Sequence, residues 1–327
     1  MIAVHRALIV LALLLAAAGL AGDAPGDVLT PYRSVRSGDF LRGATLELDG
    51  LDRDPAALEA RLRTMRDRYH IGTVGLYRLD APDALFAALD RLGMTAVIRL
   101  EAYDPDSFAF TEADADRLIE RYEPLLSRLD RARVAYLAVN MPLDDPRVQA
   151  RLGGVNTPLS VDRQTAYAEA VVARLRHTAP GLPVYLGVFY GWDGGYQPPS
   201  YRSAGADGYF LTSYSYPGTA VPGPADGDDT LIDAAGRRAV MDRFRAQYGD
   251  APVVVEYGLH TAEHHPGPRP GQTAGLVADR AAKARALAAT TRFYRDTYPS
   301  VRGTMYFGFN VYKSEGHPPA MLDFGLA

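Results

Sequence analysis

The chain of 327 residues contains no cysteine. Disulfides and thiol chemistry are therefore excluded, and stability must come from burial alone. No Gly-x-Ser-x-Gly elbow occurs, so nothing marks a serine nucleophile. No glycine-rich turn is coupled to lysine or arginine in the way a phosphate site requires. Basic residues are outnumbered, 35 against 39 acidic, for a net charge of −4. That balance does not suit a nucleic-acid or anionic-lipid surface. Tryptophan occurs once, at Trp192. No linker, low-complexity tract or internal repeat divides the sequence, and its length allows one sizeable core.

What is present begins with a leader-like segment. His5 and Arg6 give a weakly positive start, residues 7–20 are almost wholly apolar, and Gly19-Leu20-Ala21 supplies small residues for cleavage. The run is short for a membrane helix, so residues 1–21 read as a signal peptide and residues 22–327 as a secreted protein with no membrane association after cleavage. An uncleaved anchor is the competing reading. With no cysteine behind the apolar run, attachment as a lipoprotein is excluded.

Eight short apolar or aromatic segments follow, at residues 44–49, 73–79, 95–103, 134–141, 184–190, 207–214, 252–258 and 303–309. Their near-continuous apolarity is the pattern of strands covered on both faces. Helical periodicity fills most of the intervals, at 55–69, 83–92, 112–129, 161–178, 232–248 and 277–298, with Asp54 as a candidate cap for the first. The interval between the fifth and sixth strands offers only 199–204. Strand and helix alternating eight strands deep predicts an α/β fold, a single-domain (β/α)8 barrel. The last helix is short or missing, and residues 27–40 are candidates to cover that gap.

In such a barrel the chemistry sits where the strands end. Here the ends carry Glu47 and Asp49, Tyr77-Arg78, Arg99 with Glu101, Asn140-Met141, Trp192-Asp193, Tyr214 with Tyr216, Glu256-Tyr257-Gly258, and Phe307 with Asn310. The set is acidic, aromatic and amide-rich. Aromatic faces stack on sugar rings, and carboxylates and amides bond sugar hydroxyls.

These residues resemble the clan of retaining (β/α)8-barrel glycoside hydrolases. In that clan a Glu ending strand seven is the nucleophile and an Asn-Glu pair ending strand four supplies the acid/base. Glu256-Tyr257-Gly258 matches the first motif, and Asn140 matches the Asn of the second. The resemblance implies a nucleophile at Glu256, a contact from Asn140 to the sugar 2-hydroxyl, and an aromatic at Tyr214 that bonds the nucleophile. It also implies a basic residue, Arg78 or Arg99, holding Glu256 ionised. Tyr214, Tyr216 and Arg78 are also candidate substrate contacts. Trp192 and Phe307 are the aromatic platforms. Glu256 is expected to face an open, ring-lined cleft.

Met141 departs from the pattern, because it stands where the acid/base Glu belongs and a thioether donates no proton. Glu101 and Asp193 are the rim acids available in its place. The expected function is hydrolysis of the O-glycosyl bonds of an oligo- or polysaccharide. A catalytically inactive carbohydrate-binding barrel is the alternative, and a lyase or isomerase with Glu256 as base ranks behind both. No cofactor is expected. His260, Glu263, His264 and His265 lack zinc-site spacing and read as a loop, so no metal is expected either.

Overall fold

The computed structural model describes residues 40–308, apart from 49–52, 78, 80–81, 102–103, 105, 142–145, 155–156, 191–200, 203, 214–231, 233, 259, 262–275 and 278–279. Seven strands come first in the chain: β1 Leu41–Thr45, β2 Thr73–Leu76, β3 Thr95–Leu100, β4 Val134–Val139, β5 Val184–Tyr190, β6 Gly208–Ser213 and β7 Val253–Tyr257. Two minimal strands follow, β8 His260–Thr261 and β9 Leu276–Val277, and then β10 Val301–Tyr306. All but β8 and β9 close into one parallel barrel in the order β1-β10-β7-β6-β5-β4-β3-β2. The expected (β/α)8 barrel is present.

The helices are α1 Pro55–Tyr69, α2 Pro82–Leu92, α3 Glu112–Leu126, α4 Pro146–Leu152, α5 Pro158–Thr178, α6 Ala234–Tyr248 and α7 Arg280–Thr297. Their starts follow local chemistry. Asp54 accepts from the backbone N–H groups of Ala56 and Ala57 at 3.1 Å each, and Pro55 needs no donor partner at the first helical position. Thr111 and Asp114 close a reciprocal capping box ahead of α3, satisfying two donors that the helix itself leaves open.

Side chains alternate between two apolar regions. Val97, Tyr136, Ala138, Phe210, Val254 and Met305 form a cluster of their own, which fills the barrel interior. The intervening strand residues, such as Ile98, Leu137, Val139, Leu211, Val253 and Val255, pack with helix residues in the outer core. Glycine admits the interior layer at Gly43, where a Cβ would sit 2.6 Å from the Met305 side chain.

The structure adds elements that the sequence did not announce. Helix α4 has seven residues, with Val148 and Leu152 buried, too few for a 3.6-residue period to register. His260, expected in a loop, pairs with Leu276 in the two-stranded sheet β8–β9. The first strand begins three residues earlier than expected and the eighth barrel strand two earlier. Closure sets these ends, with Leu41 lying opposite Gly303.

No helix occurs among the described residues between β5 and β6. There Tyr201 is fully buried, and its hydroxyl donates to the Gly187 carbonyl at 3.0 Å. The leader-like residues 1–21, residues 27–39 and everything after Gly308 lie outside the described residues.

Candidate active site

Counting by twos from the interior residues leads to the mouth of the barrel. Val254 leads to Glu256, Val97 to Arg99 and then Glu101, Ala138 to Asn140, Phe210 to Thr212, Met305 to Phe307, and Thr45 to Glu47. Glu256 therefore points along the barrel axis side, not out among the helices.

Glu256 is buried, where the sequence led to an expectation of exposure to an open cleft. Its exposure is 1%. Arg99, itself buried, donates through one terminal nitrogen to Oε2 of Glu256. Thr45 donates to the same oxygen at 3.4 Å, and Thr212 donates to Oε1 at 3.3 Å. Both threonine contacts exceed the roughly 2.7–2.8 Å usual for hydroxyl donors, so they are weak. Burial raises the Glu256 carboxyl above its ordinary value, against the opposing charge and hydrogen bond of Arg99 and the bonds of Thr212 and Thr45. Removing a carboxylate from water disfavours its charged form, and in this site that cost exceeds what the arginine returns.

Arg99 is held from three sides. Its other terminal nitrogen donates to the Tyr77 hydroxyl. Its guanidinium carbon lies 4.2 Å from the centre of the Tyr77 ring and 4.4 Å from that of Phe210. A buried guanidinium over an aromatic face contributes on the order of 1–2 kcal/mol. Burial also raises the Tyr77 phenol well above its ordinary value; Arg99 opposes the rise, while Glu256, Glu101 and Glu47 add to it.

At the rim, Asn140 donates its side-chain amide to Oε1 of Glu101 at 3.0 Å. The Glu101 backbone is fixed by Tyr122 of α3. The Tyr122 hydroxyl donates to the Glu101 carbonyl at 2.9 Å and accepts from its N–H at 3.0 Å. Phe307 packs edge-on against Tyr77, with ring centres 6.4 Å apart.

Glu256, Glu101, Asn140 and Phe307 are thus brought to one end of the barrel. Arg78, Trp192, Asp193, Tyr214 and Tyr216 lie outside the described residues. Of the two arginines considered for Glu256, Arg99 makes the contact. Met141 does not face the mouth. It is 5% exposed and belongs to the outer apolar core with Leu137 and Val139. Residues given no role from the sequence also enter the site: Thr45, Glu47, Tyr77, Tyr122 and Thr212. Strict alternation, applied strand by strand, finds Glu47, Tyr77 and Thr212. Nothing local finds Tyr122, which arrives from a helix. Among the described residues, no group of three or more His, Asp or Glu is arranged to hold a metal.

No protein-family profile matches the sequence, and no curated protein aligns with it. Solved structures share its fold. A Ruminococcus gnavus β-glucuronidase superposes with a TM-score of 0.51 at 13% identity, over 85% of this chain and 45% of the enzyme. The AHE enzyme from Alicyclobacillus herbarius gives 0.51 at 12%, over 83% of this chain and 88% of that one. A GH5_18 variant from Streptomyces cattleya, in complex with Manb1-4GlcNAc, gives 0.51 at 16%, over 82% and 70%. This chain spans less than half the length of the R. gnavus enzyme. At these identities the likeness shows a shared barrel architecture.

Proposed function

We propose that this chain is an exported glycoside hydrolase that cleaves O-glycosyl bonds of an oligo- or polysaccharide. Glu256 attacks the anomeric carbon, or activates water if the reaction inverts. Glu101 protonates the leaving oxygen in place of the missing strand-four acid, and Asn140 orients Glu101 with its amide while its carbonyl oxygen is turned to a sugar hydroxyl. Asp193 is the other candidate donor. The observation that carries this reading is a paired carboxylate on strand seven, sharing the barrel mouth with a second carboxylate at the rim.

Burial counts against this reading: at 1% exposure Glu256 needs the site to open before it can reach an anomeric carbon. The long threonine contacts are the ones a substrate displaces, while the Arg99 bond stays. General acid assistance of this kind contributes on the order of 10²–10⁴-fold. Several barrels of similar architecture carry glycosidase names, which supports the same reading.

The test is hydrolysis of a panel of aryl glycosides and polysaccharides by the natural protein and by E256Q. Turnover abolished in E256Q supports the assignment; undiminished turnover overturns it. Glycan binding by the natural protein with no turnover on any substrate marks a carbohydrate-binding barrel instead.

A further inference from the structure

Glu101 is the first residue past the end of β3, which closes at Leu100. Toward β4 the ladder makes its last bond just before it, where the Asn140 N–H donates to the Leu100 carbonyl at 3.0 Å. On the other side β2 ends at Leu76, opposite Ile98. The backbone groups of Glu101 go instead to a single atom. The Tyr122 hydroxyl accepts from its N–H at 3.0 Å and donates to its carbonyl at 2.9 Å. An extended residue turns both groups to one side, toward a neighbouring strand. Here a side-chain oxygen from α3 takes the place of that strand.

We propose that Tyr122 is a positioning residue for Glu101: its hydroxyl carries the hold on β3 one residue beyond the ladder and so sets the carboxylate against the Asn140 amide. The role rests on the glycosidase reading only in its catalytic consequence. A proton donor carried past the last ladder bond swings with its backbone, and a misplacement of about 1 Å can cost on the order of 10²-fold in rate.

The contacts at this corner of the mouth run in series. The Thr111–Asp114 capping box fixes the start of α3, and Ile119, Tyr122 and Leu125 pack on the outer core. Tyr122 passes that placement to the Glu101 backbone. The Asn140 amide then meets Oε1 of Glu101 at 3.0 Å. Glu101 is thus tied at both ends, its backbone by Tyr122 and its carboxylate by Asn140. Removing the Tyr122 oxygen frees the first end and leaves the second to follow the backbone.

The experiment reads the Asn140 side-chain amide by proton–nitrogen NMR, with its signals assigned by disappearance in N140D. A proton bonded to a carboxylate moves downfield, and E101A supplies the unbonded position. In Y122F, which removes one oxygen from a half-buried ring, the bonded signal moves at least half of the way to the E101A position. A smaller movement overturns the proposal. Met241→Ala opens a cavity in α6, across the barrel, and measures what lost stability does by itself. It leaves the signal in place; an equal movement there also overturns the proposal. A further check needs no variant. The Glu101 amide proton, although past the end of β3, is protected from solvent exchange in the natural protein. Exchange at the unprotected rate overturns the proposal too.

Where turnover is present and E101Q discriminates between leaving groups, Y122F does the same. Its kcat falls by about 10–10²-fold on substrates with poor leaving groups, while KM and the rate on activated aryl glycosides change much less. An equal loss on both classes marks general damage and counts against the positioning role. A natural protein without turnover whose Asn140 signal moves in Y122F removes the hydrolase reading and leaves this one standing. Turnover with an unmoved signal does the reverse.

Discussion

Asn140 donates its side-chain amide to the Glu101 carboxylate at 3.0 Å, joining the end of β4 to the end of β3. In the clan this chain resembles, the acid follows that Asn directly. Here the residue after Asn140 is turned into the outer core, and the acid beside the amide comes from the neighbouring strand. Period-two alternation fits this placement: Tyr136, Ala138 and Asn140 share the inner face, and Leu137, Val139 and Met141 the outer one.

The first expectation concerns Glu101. If it supplies the leaving-group proton, E101Q lowers kcat by about 10²–10⁴-fold on substrates with poor leaving groups. The loss is much smaller on activated aryl glycosides, whose phenolates depart without help. An equal loss on both classes removes Glu101 from the donor role and leaves Asp193.

Met141→Glu does not recreate the acid. It places a carboxylate in an apolar core position 5% exposed, and an unpaired buried charge costs about 3 kcal/mol or more. Urea denaturation should show that loss, whereas Met141→Leu, similar in volume, stays within about 1.5 kcal/mol of the natural protein. A stable, more active M141E protein contradicts the outward placement.

Arg99 is the cation that Glu256 depends on. Arg99→Met leaves a buried carboxylate without its partner, and loss of one member of a buried pair typically costs about 3–5 kcal/mol. The unfolding midpoint in urea measures it. Arg99→Lys, which keeps the charge, should lose clearly less.

The raised Glu256 carboxyl predicts a sign for the pH dependence of stability. Between its ordinary value of 4.5 and its higher native value, the folded protein holds a proton that the unfolded chain has released. Stability contributed by this group is therefore full below about 4.5 and is lost as pH rises through the native value. E256Q has no such group, so the stability of the natural protein relative to E256Q should decline as pH is raised across that window. Denaturation midpoints of both proteins from pH 4 to 8, on the order of one reading per half unit, check the sign. A difference that grows with pH contradicts it.

Gly187 on β5 lets the end of β4 approach. A Cβ there would lie 3.1 Å from the Val139 carbonyl oxygen and 3.5 Å from Oδ1 of Asn140. Gly187→Ala should cost about 1 kcal/mol, as modest overpacking does, and should lower turnover several-fold by shifting Asn140 away from Glu101. Unchanged stability and turnover together contradict the close approach.

Much of the barrel was legible locally. Each strand's apolar run, the Asp54 cap and most helix periods depend on residues near one another in the chain. Glu256 at the seventh strand was legible too. Helix α4 and the β8–β9 pair were too short to leave a pattern, and Tyr122 reached Glu101 through the packing of α3 on the barrel.

The order of residues by itself determined the alternation of strand and helix, and with it which side chains share a face. Closure of the barrel decided the rest. Only when β1 meets β10, and the inner faces converge on one axis, do Thr45, Tyr77, Arg99, Thr212 and Glu256 become neighbours. The physical reason is range. Facing is fixed by the two-residue pleat, whereas contact between strands more than a hundred residues apart depends on register and burial, which no local stretch contains.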